Sequence, residues 1–217
     1  MAIKLIVTSD GSHSLLNEDL GETYHSRHGA VQESLHVFIK NGLDLVAADP
    51  VDVFEVGFGT GLNALLTAQT GRTVNYTSIE AYPLGEEIYS ELNYNPKELV
   101  LSLHRAPWNE PVHIDTHFTL TKIRGDLSFI PISGKYDIIY FDAFAPSKQP
   151  SMWELPVLKK VCDVLKPGGL FVTYCAKGQL KRDLKTLGLE VETLTGPPGK
   201  KEMVRGRVKR EEVRGKK

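Results

Sequence analysis

The sequence predicts an α/β fold: a mostly parallel seven-stranded sheet with helices on both faces, a terminal antiparallel hairpin and a small N-terminal extension. Three observations carry this expectation. From residue 51 onward, apolar strand-like segments alternate with segments of helical periodicity. Three glycines, Gly57, Gly59 and Gly61, stand between the first such strand and the helix that follows it. The last two strand-like segments have no helix between them and are joined by Gly196-Pro197-Pro198-Gly199, which reads as a hairpin turn.

Residues 3–8 read as a strand, Ser9-Asp10-Gly11-Ser12 as a turn, and a second short strand follows. Residues 30–40 read as a helix with Val31, Leu35, Phe38 and Ile39 on one face, stopped by Asn41-Gly42. In the main segment, strands are expected at 51–56, 74–80, 118–124, 136–141, 170–175, 190–195 and 201–208. Helices are expected at 61–70, 84–92, 97–104, 155–165 and 178–187, with Leu165-Lys166-Pro167-Gly168-Gly169 as a sharp helix stop. The chain thus divides into an N-terminal extension or lid (1–45), a main α/β domain (46–208) and a basic tail (209–217).

At 217 residues, with 41% apolar and 24% charged residues, the chain suits one sizeable globular domain. No apolar run approaches the roughly 18 residues of a membrane span, and Met1-Ala2-Ile3-Lys4-Leu5 lacks the h-region of a signal peptide. Cys162 and Cys175 fall in apolar patterns and read as buried thiols, not a disulfide framework. A cytoplasmic enzyme without a membrane partner is expected. The net charge of −1 hides an asymmetry: residues 1–176 hold 13 Lys and Arg against 21 Asp and Glu, and residues 177–217 hold 13 against 6. Basic clusters attract phosphate backbones; a solvated helix face followed by a tail accounts for the same charges.

The glycine run names a ligand class. Glycine accepts positive φ and lets a ligand approach the backbone closely, and a helix N-terminus offers unpaired N–H groups. A dinucleotide fingerprint would read G-x-G-x-x-G, but its third glycine position is Leu62 here. The spacing from Glu55 through Gly57, Gly59 and Gly61, E-x-G-x-G-x-G, resembles the motif of class I, Rossmann-like methyltransferases that use S-adenosylmethionine (SAM). Glu80 ends the next strand about 20 residues on, where an acid suits the two hydroxyls of a ribose.

Ligands of such sheets sit beyond the strand C-termini, so the remaining strand ends are the candidate chemistry. Asp126 follows the third and suits an adenine amino group. Asp142 ends the fourth and opens a loop containing Pro146 and Pro150, with Lys148, Met152 and Trp153 in or beside it. A carboxylate there suits an amine acceptor. An amine must be neutral to attack, and a nearby acid favours the ammonium form, so Asp142 is read as orienting the amine and then accepting a proton. Phe144 and Trp153 suit stacking on a base or ring, and hydrophobic packing suits them equally. His25, His28 and His36 have no Cys or third ligand nearby in sequence, so no metal is expected.

The chain resembles, over most of its length, the methyltransferase domain of the bifunctional enzymes of 5-methylaminomethyl-2-thiouridine biosynthesis in tRNA. The resemblance rests on Ser9-Asp10-Gly11-Ser12, on Tyr24 to Phe38 with Gly29, Glu33, Ser34, His36 and Val37, and on Gly57 to Asn63. It continues through Asp142-Ala143-Phe144-Ala145-Pro146-Ser147-Lys148, Met152-Trp153, Pro167-Gly168-Gly169 and Lys200-Lys201-Glu202-Met203. It implies methyl transfer from SAM to the aminomethyl nitrogen of wobble uridine 34, with the tRNA anticodon loop as partner. It implies a cofactor set of Tyr24, Glu33, Glu55, Gly57, Phe58, Gly59, Thr60, Gly61, Asn63, Glu80, Asp126, Leu127 and Asp142. Asp142 is the implied catalytic residue, and Phe144, Lys148 and Trp153 the implied substrate contacts. The bifunctional enzymes continue into an FAD-dependent oxidoreductase domain. This sequence shows no second glycine fingerprint, so a stand-alone domain without FAD is expected, its aminomethyl uridine made by another route or by a partner such as a separate FAD-dependent oxidoreductase. Two alternatives stay open on the residues alone: an N-methyltransferase for a small-molecule or protein amine, and a SAM-binding protein without catalysis.

Overall fold

The computed structural model describes residues 2–209. The basic tail expected at 209–217 lies, apart from Lys209, outside the described residues. The N-terminal segment forms an antiparallel sheet of β1 (Ile3–Val7), β2 (His13–Asn17) and β3 (Glu22–Thr23). Helix α1 (Ala30–Ser34) follows and runs on as a π-helical turn, Leu35–Lys40. The wider winding is visible where the Asn41 N–H donates to the His36 carbonyl five residues back. It changes the buried face: Val37, Phe38 and Ile39 are inside, whereas Leu35, expected inward, is 42% exposed.

The main sheet is built from β4 (Val51–Val56), β5 (Val74–Glu80), β6 (Pro111–His113), β7 (Phe118–Arg124), β8 (Tyr136–Phe141), β9 (Leu165–Thr173), β10 (Leu189–Thr195) and β11 (Glu202–Val208). Their spatial order is β10-β11-β9-β8-β4-β5-β7-β6. The five strands from β9 to β7 are parallel. Strand β11 returns antiparallel between β10 and β9, as the Gly-Pro-Pro-Gly turn predicts. All seven expected strands are present. The eighth, β6, is a three-residue edge strand antiparallel to β7, too short and too polar to stand out in the sequence.

The connecting helices are α2 (Leu62–Ala68), α3 (Glu86–Tyr89), α4 (Lys97–Arg105), α5 (Leu155–Cys162) and α6 (Gly178–Thr186). The helix expected at 84–92 shrinks to the single turn α3. Lys97 Nζ donates to the Ser90 and Leu92 carbonyls at its end, and Asn93, just beyond, accepts from the His13 N–H at 2.7 Å and donates to the Gly11 carbonyl at 2.9 Å, fastening the β1–β2 turn. The expected helix stop at 165–169 is instead a bulge inside β9. Leu165 pairs with Tyr136 and Leu170 with Ile138, and the residues between bow outward.

Two hydrophobic clusters cover the sheet. One joins Phe38, Leu62, Leu65, Leu103, Tyr76 and Tyr140; the other joins Phe54, Ile139, Phe141, Leu158, Val161 and Leu184. Burial on both faces is why β4 and β8 read as nearly continuous apolar runs. The order reverses between β4 and β8, so a crevice opens at their C-terminal ends. No helix among the described residues is long and apolar enough to cross a membrane.

Candidate active site

That crevice is a cavity of about 800 Å³, lined by the loops after β4, β5, β7 and β8 and roofed by residues 17–26 and 33 of the N-terminal segment. Its floor is the glycine loop. Gly57, Gly59 and Gly61 all have positive φ, at 90°, 49° and 72°. A Cβ on Gly57 would lie 3.1 Å from the Asp142 carbonyl, and one on Gly59 3.2 Å from the Tyr24 ring. A side chain at either position would be strained by the positive φ and would crowd these walls. Phe58 and Thr60 are buried and anchor the loop from behind. His104 bonds through Nε2 to the Thr60 carbonyl at 2.9 Å, and its ring meets Phe58 edge-on. The wholly buried Lys122 donates to the His104 carbonyl and lies 4.5 Å from the Trp108 ring centre. Burial lowers its pKa to about 8.

Glu80, at the tip of β5, accepts from the backbone N–H groups of Gly59 at 3.0 Å and Tyr82 at 2.8 Å. It thereby ties the glycine loop to the next strand, and its remaining lone pairs stay available to hydroxyl donors. Asp126 and Leu127 line the same end of the cavity; Asp126 accepts from the Ser128 N–H at 2.7 Å.

Asp142 sits at the opposite end, directly after β8, its backbone N–H bonded to the Val56 carbonyl. Its Oδ2 accepts from Nδ2 of Asn63 at 2.8 Å. The same Asn63 amide donates to Oε1 of Glu55 at 3.1 Å, and Ser78 donates to Oε2 of Glu55 at 2.7 Å. Burial raises the Glu55 carboxyl to about 8, against the hydrogen bonds from Ser78 and Asn63. Burial likewise raises Asp142 to about 7, with Glu33 adding to the shift and Asn63 and Lys200 opposing it. A carboxyl titrating near neutrality with one oxygen held and the other facing a cavity is equipped to orient a donor and take up its proton.

The N-terminal segment closes this end. The Tyr24 ring meets Phe144 edge-on at 5.0 Å. Buried Glu33 accepts from the Ser26 N–H at 3.0 Å and from Lys200 Nζ at 2.6 Å. Burial holds His25 down at about 4, so it is neutral near pH 7.

The structure therefore gathers Tyr24, Glu33, Gly57, Phe58, Gly59, Thr60, Asn63, Glu80, Asp126, Leu127, Asp142 and Phe144 around one cavity. Glu55 and Gly61 lie beneath it. Two expected substrate contacts are elsewhere. Trp153 is 8% exposed, donates from Nε1 to the Phe144 carbonyl at 2.8 Å and packs edge-on against Phe141 and Tyr174; it supports the loop from within the core. Lys148 is exposed outside the cavity, with Nζ near Gly21. Conversely, the sequence hides the cavity roles of His25, Tyr82, Tyr174 and Lys200. Lys200 stands in a stretch that carries the resemblance and among the charges of the basic C-terminal part, but nothing local shows that the β10–β11 turn folds over the site. Among the described residues no group of three His, Cys, Asp or Glu could hold a metal.

Comparison with known proteins places this geometry. The profile of the S-adenosyl-L-methionine-dependent methyltransferase family matches residues 90–209. The chain is 32% identical to the tRNA 5-methylaminomethyl-2-thiouridine biosynthesis bifunctional protein MnmC of Leptospira interrogans serogroup Icterohaemorrhagiae serovar copenhageni, over 88% of this chain and 33% of that protein. It is 29% identical to the protein of the same name from Methylobacillus flagellatus, over 86% of this chain and 32% of that protein. The chain thus spans about a third of the length of these relatives. The crystal structure of MNMC2 from Aquifex aeolicus superposes with a TM-score of 0.81 at 25% identity, covering 96% of this chain and 71% of that one.

Proposed function

The chain belongs to the family of S-adenosyl-L-methionine-dependent methyltransferases, and we propose that it methylates the aminomethyl nitrogen of 5-aminomethyl-(2-thio)uridine at the tRNA wobble position 34. The observation that carries the choice of an amine is Asp142: half-buried, raised to about 7, with only Oδ2 bonded among the described residues. The relatives named for tRNA 5-methylaminomethyl-2-thiouridine biosynthesis support the tRNA substrate.

The cavity fits SAM. The glycine cradle keeps three positive-φ turns of bare backbone at the cavity floor, and the volume suits a ligand of that size with room for an acceptor. When bound, SAM supplies an electrophilic methyl group on a sulfonium. Glu80 would hold the ribose hydroxyls, Asp126 and Leu127 the adenine, and the glycine loop with Tyr24 and Glu33 the methionine end. The free Oδ1 of Asp142 would accept a hydrogen bond from the amine, aim its lone pair and take the proton that the nitrogen sheds on methylation. Phe144, at the mouth of this end, would stack on the uridine ring; single-stranded bases are commonly read this way. On this reading the aminomethyl group is made before this chain acts, by an oxidoreductase activity such as the FAD-dependent one that the resemblance pairs with this domain, or by another route, and the basic residues between 177 and 209 serve the anticodon loop.

Digesting the methylated tRNA to nucleosides tests this reading. The methyl group is expected on the side-chain nitrogen of uridine 34. A methyl on the ring, the ribose or another nucleotide would contradict it.

A further inference from the structure

Lys200 stands apart from the rest of the cavity wall. Among the described residues lining the cavity, Asp19, Glu22, Glu33, Glu80, Asp126 and Asp142 are acidic, and Lys200 is the one cation. It comes from the β10–β11 turn, far in sequence from every partner it meets. Its Nζ bonds Oε2 of buried Glu33 at 2.6 Å and lies 3.8 Å from the centre of the Tyr174 ring. Tyr174 is itself fixed by donating to the Ala143 carbonyl at 2.9 Å, beside Asp142. The charged and titratable groups facing Lys200 are Glu33 on α1, Asp142 after β8, Tyr174 and Cys175 after β9, and neutral His25 after β3.

An acidic wall has a cost for amine chemistry. Carboxylates raise the pKa of a bound amine, and an ammonium has no lone pair with which to accept a methyl group. A fixed cation works in the opposite direction, on the amine and on Asp142 alike.

We propose that Lys200 is a positioning residue for the acceptor: held between Glu33 and the face of Tyr174, its ammonium offsets the acidic wall so that the acceptor amine binds as the neutral base. This rests on the reading of the chain as an amine methyltransferase. It also assigns Glu33 a second task, that of holding the cation in place.

The test is the pH profile of methyl transfer to tRNA carrying 5-aminomethyl-2-thiouridine 34, measured for the wild type, Lys200→Met, Lys200→Arg and Glu33→Gln. Removing the cation raises the pKa of the amine and of Asp142. Lys200→Met is therefore expected to move the acid limb of kcat/KM up by about one pH unit, with activity recovered at higher pH. Removing the anion does the reverse, so Glu33→Gln moves the limb down, and Lys200→Arg leaves it near the wild-type position. A pair with a purely structural role would lose activity in both single variants at every pH. Shifts of the same sign, or none, overturn the proposal. Far-UV circular dichroism and thermal melting report whether each variant is folded, and if Lys200→Met fails to fold, Lys200→Gln takes its place with the same expected upward shift. A wild-type protein that does not methylate this tRNA overturns the underlying reading instead.

Discussion

Asn63 Nδ2 and Asp142 Oδ2 lie 2.8 Å apart, and the same Asn63 amide reaches Glu55 Oε1 at 3.1 Å. One amide group thus spans two carboxyls that burial pushes up to about 8 and about 7. It fixes which oxygen of Asp142 is spoken for. Asn63→Leu removes both donors while keeping the volume. The expected outcome is a fall in kcat of about 10- to 100-fold, as for a lost orienting group, with SAM affinity changed far less. Single-turnover rates and calorimetric SAM binding separate the two effects; equal losses in both would make Asn63 a cofactor ligand only.

Activity should titrate with Asp142. Only the ionised carboxylate can accept the proton, so the rate rises with pH through the raised value of about 7 and levels off above it. At pH 6 the ionised fraction is about one tenth. A profile whose acid limb sits near pH 4, with an intact Asp142, would remove the carboxylate from the proton-accepting role.

Stability should carry the opposite signature at Glu55. Its folded value of about 8 is above the ordinary 4.5. Its contribution is therefore fully present below about pH 4.5 and is lost as pH rises through 8, because ionisation charges a buried group. Glu55→Gln removes this titration. The variant's Tm relative to the wild type is expected to climb between pH 5 and pH 8.5, by about 5 °C or more. A difference that does not change with pH would show that Glu55 does not titrate in this range in the folded protein.

The fold was largely legible in the sequence because its parallel strands are buried on both faces and their apolar runs stand out. What was not legible depended on long-range partners. Lys97 donates to the Ser90 and Leu92 carbonyls where the sequence has the helix running on, and Leu35 turns outward where the helix widens to a π-turn after Ser34. The site divides the same way. Gly57 to Asn63, Glu80, Asp126 and Asp142 sit at strand ends, where the topology opens the crevice, so their spacing already pointed to one place in the fold. Lys200 belongs to a stretch that carries the resemblance, but its contact with Glu33, 167 residues away, is visible only in the fold.

Trp153 illustrates the limit of reading aromatics from sequence. Its Nε1–H is committed to the Phe144 carbonyl and its ring to Phe141. Trp153→Phe is expected to cost about 1–3 kcal/mol of stability, from the lost buried hydrogen bond and the space left behind. KM for tRNA should change little. Urea unfolding and steady-state kinetics check this; a large rise in KM with unchanged stability would return Trp153 to the substrate.

The central claim is that a carboxylate at the tip of β8 serves an aminomethyl uridine. Its most direct test is transfer of labelled methyl from SAM to two tRNAs that differ only in the aminomethyl group at position 34, by the wild type and by Asp142→Asn. Label is expected only in the aminomethyl tRNA, with the variant slower by about 100-fold or more while still binding SAM. Equal labelling of both tRNAs, or of neither, contradicts the account.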